Sequence, residues 1–358
     1  MSDMLQSNKN GNLYEIPQLD ANGFTAVDLF CGAGVGAYGI KHAGYNILYG
    51  IDNDADAVRT YNLNIGDHAV CRDIRGLKAE EIPKHDLMIA TPVCKPFSIC
   101  GVRRLTDDKK YGDLLAETIR LFTECKPKAL FFENVGGLVM DESLPIFLEF
   151  VDRIESCGYH AYWDLVNCYD LGVPQERVRV FLVAIRDDIP NEFVAPKKLL
   201  FGKKSQRDAL WDLKDKTIKD IPNHNTDDNY WCSQFAANFK QRPWESPSYT
   251  VVSAQNAVLF YPEPRCYSQL DDYKVKFQKY MDAPNDKKPR RFSVREHLRL
   301  QTVGDDFYFP DDISIKEQYN RCSGIPSLVS FKYGVAIAEC LSGKTDLRQK
   351  TIKQKKLF

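Results

Sequence analysis

The feature that most narrows the possible folds lies near the start of the chain. Residues 24–30, "FTAVDLF", form a short apolar run that meets "CGAGVGAYGIKHAGYN". This succession reads as a buried strand, a glycine turn and a helix. Gly32, Gly34 and Gly36 permit a tight bend and bring backbone N–H groups close to a ligand at a helix N-terminus. The next strand, "ILYGID", ends on Asp52, where a carboxylate can take both hydroxyls of a ribose. Dinucleotide enzymes and S-adenosylmethionine enzymes share such a pair, and a ligand-free turn can also carry it. The ligand therefore stays open at this point.

The same alternation continues downstream. "NDADAVRTYNLNI" reads as a helix, "DLMIAT" as a strand, "LLAETIRLFTEC" as a helix and "ALFFENV" as a buried strand. "PIFLEFVDRIESCGY" then reads as an amphipathic helix and "RVRVFLVAIR" as a closing strand. Alternating strands and helices predict an α/β fold, a mostly parallel sheet with helices on both faces. From about Asp187 to Arg290 the chain turns polar and irregular, with short β-like pieces such as "SYTVVS" and "AVLFY". A loop-rich insertion of this kind suits recognition of a partner better than chemistry. Helical periodicity returns in "RFSVREHLRLQT" and "LVSFKYGVAIAECLS".

Composition removes several classes. With 44% hydrophobic and 27% charged residues the chain is ordinary for a globular protein. No apolar run is long enough to span a membrane, and the N-terminal "MSDMLQSNKNGNLYEIPQLD" does not resemble a signal peptide, so a cytoplasmic location is expected. Eleven cysteines occur without CxxC or Cys/His spacing, which argues against a disulfide framework and against a metal site. The net charge of −1 confines any nucleic-acid contact to a local patch. "FKQRPW" (Phe239–Trp244) is one candidate; the basic tail "RQKTIKQKKLF" (Arg348–Phe358) reads more simply as a solvated terminus.

Chemistry-bearing residues fall at the ends of the expected strands. "RDI" sets Asp73 at a third strand end, placed to accept from an adenine amino group. Cys94 follows the "DLMIAT" strand in "TPVCKPFS", Glu133 ends a buried strand in "ENV", and "PQERVRVFLVAIR" supplies Gln175, Arg177 and Arg179. A single buried Glu or Cys is most simply structural. A Cys, a Glu and two alternating Arg at strand ends of one sheet converge on one crevice.

Together these segments resemble the C5-cytosine DNA methyltransferase family, of the bacterial restriction–modification type. "DLFCGAGVG" is similar to its cofactor loop, "TPVCKPFS" to its Pro-Cys-Gln nucleophile loop, "FFENV" to its Glu-Asn-Val motif and "QERVRVF" to its Gln-x-Arg-x-Arg motif. "RRFSVREHLRLQTVGDDF" resembles its penultimate conserved block, and the match runs in the family's order from about Phe24 to Leu341. "FKQRPWESPSYTVVSAQNAVLFYP" resembles a segment of several bacterial members, including those that modify GGCC sites. The implied fold is a Rossmann-like, S-adenosylmethionine-dependent sheet with a smaller target-recognition domain. The implied division is a polar extension over 1–22, a catalytic and cofactor-binding domain over 23–189 and a recognition domain over 190–290. Residues 291–343 then return to the catalytic domain, and 344–358 form the basic tail.

The resemblance also implies roles. Cys94 would add to cytosine C6, making C5 nucleophilic enough to take a methyl group, and β-elimination would restore the ring. Glu133 would hydrogen-bond or protonate N3, and Arg179, with Arg177 behind it, would hold O2. The base would be flipped out of double-stranded DNA. Asp28, Phe30, Gly32, Ala33, Gly34, Gly36, Asp52, Asn53, Asp73, Ile74, Pro92, Leu114, Ser323 and Ile325 would hold S-adenosylmethionine. Lys95, Ser98, Gln175, Lys240 and Arg242, with Arg207 nearby, would meet DNA; stacking of Arg242 on Trp244 is the alternative that needs no DNA. The expected protein is a monomer acting beside a restriction endonuclease of the same specificity.

Three positions depart from the family pattern. Val93 stands in place of Pro, Lys95 in place of Gln, and the last motif reads "CSGIP", with Ser323 in place of Asn. A roomier pocket near a lysine would accept a larger or anionic group, such as carboxymethyl, from a carboxylated cofactor analogue. A DNA-binding homologue with weak catalysis is a second alternative. A tRNA methyltransferase lacks support, since the Cys-Phe-Thr tripeptide of that branch is missing, and a dinucleotide oxidoreductase leaves Cys94, "ENV" and "QERVR" without roles.

Overall fold

The computed structural model describes residues 16–93, 113–140, 143–226, 241–253, 259, 261–262 and 290–344. The strands are β1 (Thr25–Leu29), β2 (Asn46–Asp52), β3 (Ala69–Cys71), β4 (Leu87–Ala90), β5 (Ala129–Val135), β6 (Tyr159–Asn167) and β7 (Val178–Arg186). They form one seven-stranded sheet in the order β3-β2-β1-β4-β5-β7-β6. The first five strands are parallel; β7 runs antiparallel to both β5 and β6. The strand order reverses between β1 and β4, and ligands of open α/β sheets bind beyond the carboxyl ends of the strands at such a point.

Helices α1 (Val35–His42), α2 (Ala55–Asn64), α3 (Asp113–Cys125) and α4 (Leu144–Ser156) follow the expected alternation. Period-two side-chain direction divides the sheet between two cores. Phe131 and Phe181 face the core that holds α1 and α2, whereas Phe132 and Leu182 face the one that holds α3 and α4. All four are buried, and truncating a buried Phe to Ala typically costs about 3–5 kcal/mol.

The C-terminal segment returns as α6 (Val294–Leu300), α7 (Ile315–Arg321) and α8 (Ser327–Leu341), after a short α5 (Gln206–Leu210). Helix α8 packs closely on α1: Ser327 Oγ donates to the Val35 carbonyl at 2.7 Å and Ser330 Oγ to that of Gly36 at 2.7 Å. A Cβ at Gly39 would stand 2.0 Å from the Ser327 carbonyl oxygen, so this approach requires glycine.

Two expectations need correction. The amphipathic helix stops at Ser156, Gly158 turns with φ +87°, and Tyr159 opens β6, a strand the sequence pattern did not reveal. Of the β-like pieces in the insertion, "SYTVVS" contributes one isolated bridge, between Gln175 and Ser248. "AVLFY" lies largely outside the described residues.

Candidate active site

The carboxyl edge of β1, β2, β4 and β5 opens into a cavity of about 470 Å³, within the usual size range for small-molecule sites. Its shape begins at Phe30, which ends β1 with φ +63°, a left-handed conformation that a non-glycine residue adopts only when its surroundings impose it. Thr91 Oγ1 donates to the Phe30 carbonyl at 3.0 Å, and Cys31 N–H donates to Ile51 O at 3.0 Å. The turn is thereby fixed to β4 and β2 together. Gly34 caps α1 with φ +92°, and a Cβ there would press on Ile65 at 2.8 Å. Gly34 thus serves packing beneath the turn and is not part of the cavity wall.

Asp52 is held from two sides: Gly32 N–H donates to its Oδ2 at 2.8 Å and Asp54 N–H to its Oδ1 at 3.0 Å. Burial raises its carboxyl above the ordinary range. Burial, then the nearby Asp52, raises Asp28 much further. Among the described residues no cationic side chain pairs with either. Asp73 is paired with Arg75 at 2.7 Å and Asp54 with Arg321 at 2.7 Å. A buried and a half-buried carboxylate, neither paired with a cation among the described residues, suit a ligand with vicinal hydroxyls and a positive charge in a nucleoside-sized cavity, and S-adenosylmethionine carries both.

The expected cofactor residues mostly converge. Asp28, Phe30, Gly32, Ala33, Gly36, Asp52, Asn53, Asp73, Ile74, Leu114, Ser323 and Ile325 all line this cavity. Pro92, like Gly34, is not in the wall; its carbonyl accepts a hydrogen bond from Asn134 Nδ2 at 3.1 Å. Asn134 is itself buried and was not singled out in the sequence, although it sits in "ENV" beside Glu133. It ties the end of β5 to the backbone just before Cys94. Cys94, Lys95, Ser98 and Lys240 lie outside the described residues.

Glu133 also lines the cavity. Its Oε1 is 3.1 Å from Arg179 Nε and 4.0 Å from Arg177 Nη2. Neither contact is aligned as a hydrogen bond, so this buried oxygen keeps an open acceptor position. The antiparallel register explains the grouping: Val135 pairs with Arg179 across β5 and β7, which brings both arginines back beside Glu133. Arg177 is buried, and burial, then the neighbouring Arg179, lower its guanidinium to about 10. It donates to the Val251 carbonyl at 2.8 Å, linking the sheet edge to the insertion.

Two residues expected at DNA have other partners. Gln175 is fully buried; its Nε2 donates to Leu300 O at 2.6 Å and Gln301 Oε1 at 2.8 Å, and its Oε1 accepts from Val251 N–H at 3.0 Å. A side chain with both ends of its amide engaged inside the protein is a clamp between segments, and the expected DNA contact would require it to leave these partners. Arg242 donates to Glu176 at 2.6 Å and stacks on Tyr249 at 3.9 Å, rather than on the buried Trp244. Arg207 stacks on Trp211 at 3.9 Å.

A family model, C-5 cytosine-specific DNA methylase, matches residues 24–337. The chain belongs to that family. It is 30% identical to the type II methyltransferase M.FnuDI of Fusobacterium nucleatum, over 93% of this chain and 99% of the relative. It is 32% identical to the type II methyltransferase M.MthTI of Methanothermobacter thermautotrophicus, over 78% of this chain and 86% of the relative. Among solved structures, the Entamoeba histolytica methyltransferase EhMeth superposes with a TM-score of 0.65 at 15% identity, covering 91% of this chain and 99% of that one. As a member of the family, this chain transfers a methyl group from S-adenosylmethionine to cytosine C5 in DNA. The family match supports methyl as the transferred group.

Proposed function

We propose that the two walls of the cavity divide the reaction, the carboxylate-lined wall taking the cofactor and the Glu133 wall taking a flipped cytosine. The observation that carries this reading is the buried Glu133 Oε1, open to a hydrogen bond and braced by Arg179 at the same cavity. S-adenosylmethionine supplies an electrophilic methyl group there. Asp52 would bind its ribose hydroxyls, while Asp28 would face its positive charge. Ser323 and Ile325 would border its methionine end.

Cys94 is next in sequence after Val93, which lines the cavity, and would supply the thiolate that adds to cytosine C6. As the C6–S bond forms, charge develops on N3 and O2. Glu133 would hydrogen-bond or protonate N3, and Arg179 would hold O2, with Arg177 keeping the pair in place. After transfer, the C5 proton would pass to water as the C6–S bond breaks, returning Cys94 as its thiolate, and N3 would give back any proton taken from Glu133, which restores the ring. The enzyme would act on double-stranded DNA as a monomer, beside an endonuclease of matching specificity, as the type II naming of its relatives suggests. No described helix is long and apolar enough to cross a membrane. The bacterial and archaeal sources of these relatives support action in the cytoplasm.

The test uses duplex DNA carrying 5-fluorocytosine at a site first located by bisulfite sequencing. Wild type should form a covalent adduct on it, and Cys94→Ser should bind that DNA without being trapped. An adduct of equal yield with Cys94→Ser overturns the assignment.

A further inference from the structure

Between β7 and α5 the segment "APKKLLFGKK" (195–204) crosses to the catalytic edge of the sheet and exposes two large apolar side chains. Leu200 is 82% and Phe201 88% exposed, above any other large hydrophobic residue described. The loop that carries them is tied down on both sides. Leu199 N–H donates to Asp170 O at 2.7 Å, Lys198 pairs with Asp164 at 2.8 Å, and Lys203 pairs with Asp170 at 2.5 Å. Gly202, with φ +70°, turns the chain directly after Phe201. Leu200 and Phe201 therefore stand at the tip of an anchored turn.

Position decides what such a tip can meet. Asp170 lies just beyond the end of β6, and at that end Val166 pairs with Arg179 and Asn167 with Val178. The tip thus shares the sheet edge that carries Glu133 and Arg179. Lys197, Lys198, Lys203 and Lys204 flank it in a protein whose net charge is only −1. An apolar point framed by lysines complements one polymer above others: nucleic acid, whose phosphates attract the ammonium groups and whose stacked bases accept an apolar wedge.

We propose that Leu200 and Phe201 form a wedge against the double-stranded DNA flanking the target cytosine, with Lys197 and Lys204 seated on its phosphates while Lys198 and Lys203 hold the turn. This inference rests on the reading of the Glu133 edge as the DNA-facing edge. Its test is chosen to fail separately. Both side chains are exposed, so Leu200→Ser/Phe201→Ser should leave the melting temperature and the S-adenosylmethionine Kd unchanged.

The measurement is the Kd for a 40-base-pair duplex centred on the modified site, taken across a salt series. Losing a base-stacking contact should raise Kd about 5- to 100-fold with the salt slope unaltered. Lys197→Ala/Lys204→Ala should instead reduce the slope. As an independent report, Phe201→Trp should show a change in indole emission when that duplex is added. An unchanged Kd for the serine variant, with no emission change, overturns the wedge while wild-type methylation of the same duplex still supports the proposed function. Loss of concentration-dependent self-association in the serine variant, with DNA affinity intact, would assign the tip to a second copy and overturn it as well.

Discussion

The two walls of the cavity use charge in different ways. On the cofactor wall, carboxylates stand near strand ends and are oriented by backbone N–H groups: Asp52 by the neighbouring Asp54 and by Gly32 in the turn of the adjacent strand, and Asp73 by Arg75. On the base wall, Glu133 is buried within β5 and Arg177 just before β7, and Arg177 is held by a distant segment through Val251. A locally built site can be read from a short motif. A site built across strands depends on sheet register, and its charges, removed from water, tolerate little change.

The sharpest way to break this comparison is Glu133→Gln. It keeps the shape but removes the carboxylate that faces N3 and balances the two arginines. Single-turnover methyl transfer should slow by about 10²–10⁴-fold, the usual range for a lost general acid–base group. S-adenosylmethionine Kd should stay within experimental error. A large loss of cofactor affinity would mean that the two walls are one site and that the contrast drawn here is wrong.

The cofactor wall should respond oppositely. Asp52→Asn loses a charge that accepts two backbone hydrogen bonds. Charged hydrogen bonds contribute roughly 1.5–3 kcal/mol, so KM for S-adenosylmethionine should rise about 10- to 100-fold with kcat nearly retained. Because burial raises the Asp52 carboxyl, wild-type cofactor affinity should be complete above that raised pKa and decline as pH falls through it. The variant should lose this acid limb; any part that survives belongs to Asp28, raised in the same way. A kcat effect larger than the KM effect would contradict the division of labour.

The same contrast explains which features were legible in the sequence. "FCGAGVG", "ILYGID" and "FFENV" each carry their local geometry within a few residues, and β1, β2 and β5 appear where they were expected. Strand β6 was not legible, because as an edge strand it is mostly half-exposed, and its mixture of His, Asp and aromatic residues hides the alternation. The partners of Gln175, Val251, Leu300 and Gln301, are not legible in the motif because they lie far along the chain. Stacking on Trp244, the alternative to a DNA contact for Arg242, takes the nearest aromatic residue in "RPW", while the fold offers Tyr249. Pattern and spacing report local structure; they do not report which distant side chain completes a hydrogen bond.

Gln175→Leu tests the clamp. It removes hydrogen bonds to two segments and leaves buried partners unsatisfied, which costs about 1–3 kcal/mol. The melting temperature should fall and the apparent affinity for DNA should weaken by way of the misplaced insertion, with no change in the salt slope. Were Gln175 a DNA contact instead, stability would hold and affinity alone would drop.

The smallest effect is expected at the rim, where the two styles of construction meet. Arg321 ends α7 and reaches across to Asp54 at 2.7 Å and Asp56 at 3.6 Å, while also pairing with Glu317 at 2.7 Å. Asp54 caps α2 through the N–H groups of Asp56 and Ala57, and it directly follows Asn53 in the cavity wall. Arg321 is therefore a long-range contact that positions a locally built wall. Its partners are part-exposed, so the pair should contribute no more than about 1 kcal/mol. Arg321→Gln should accordingly raise the S-adenosylmethionine KM about two- to fivefold at low salt, with kcat unchanged. The gap should narrow as salt screens the wild-type pair. Arg321→Lys, which keeps the charge but loses the planar fork, should fall between the two. A loss of kcat without a change in KM would place Arg321 with the base wall and require the boundary between the two walls to be redrawn.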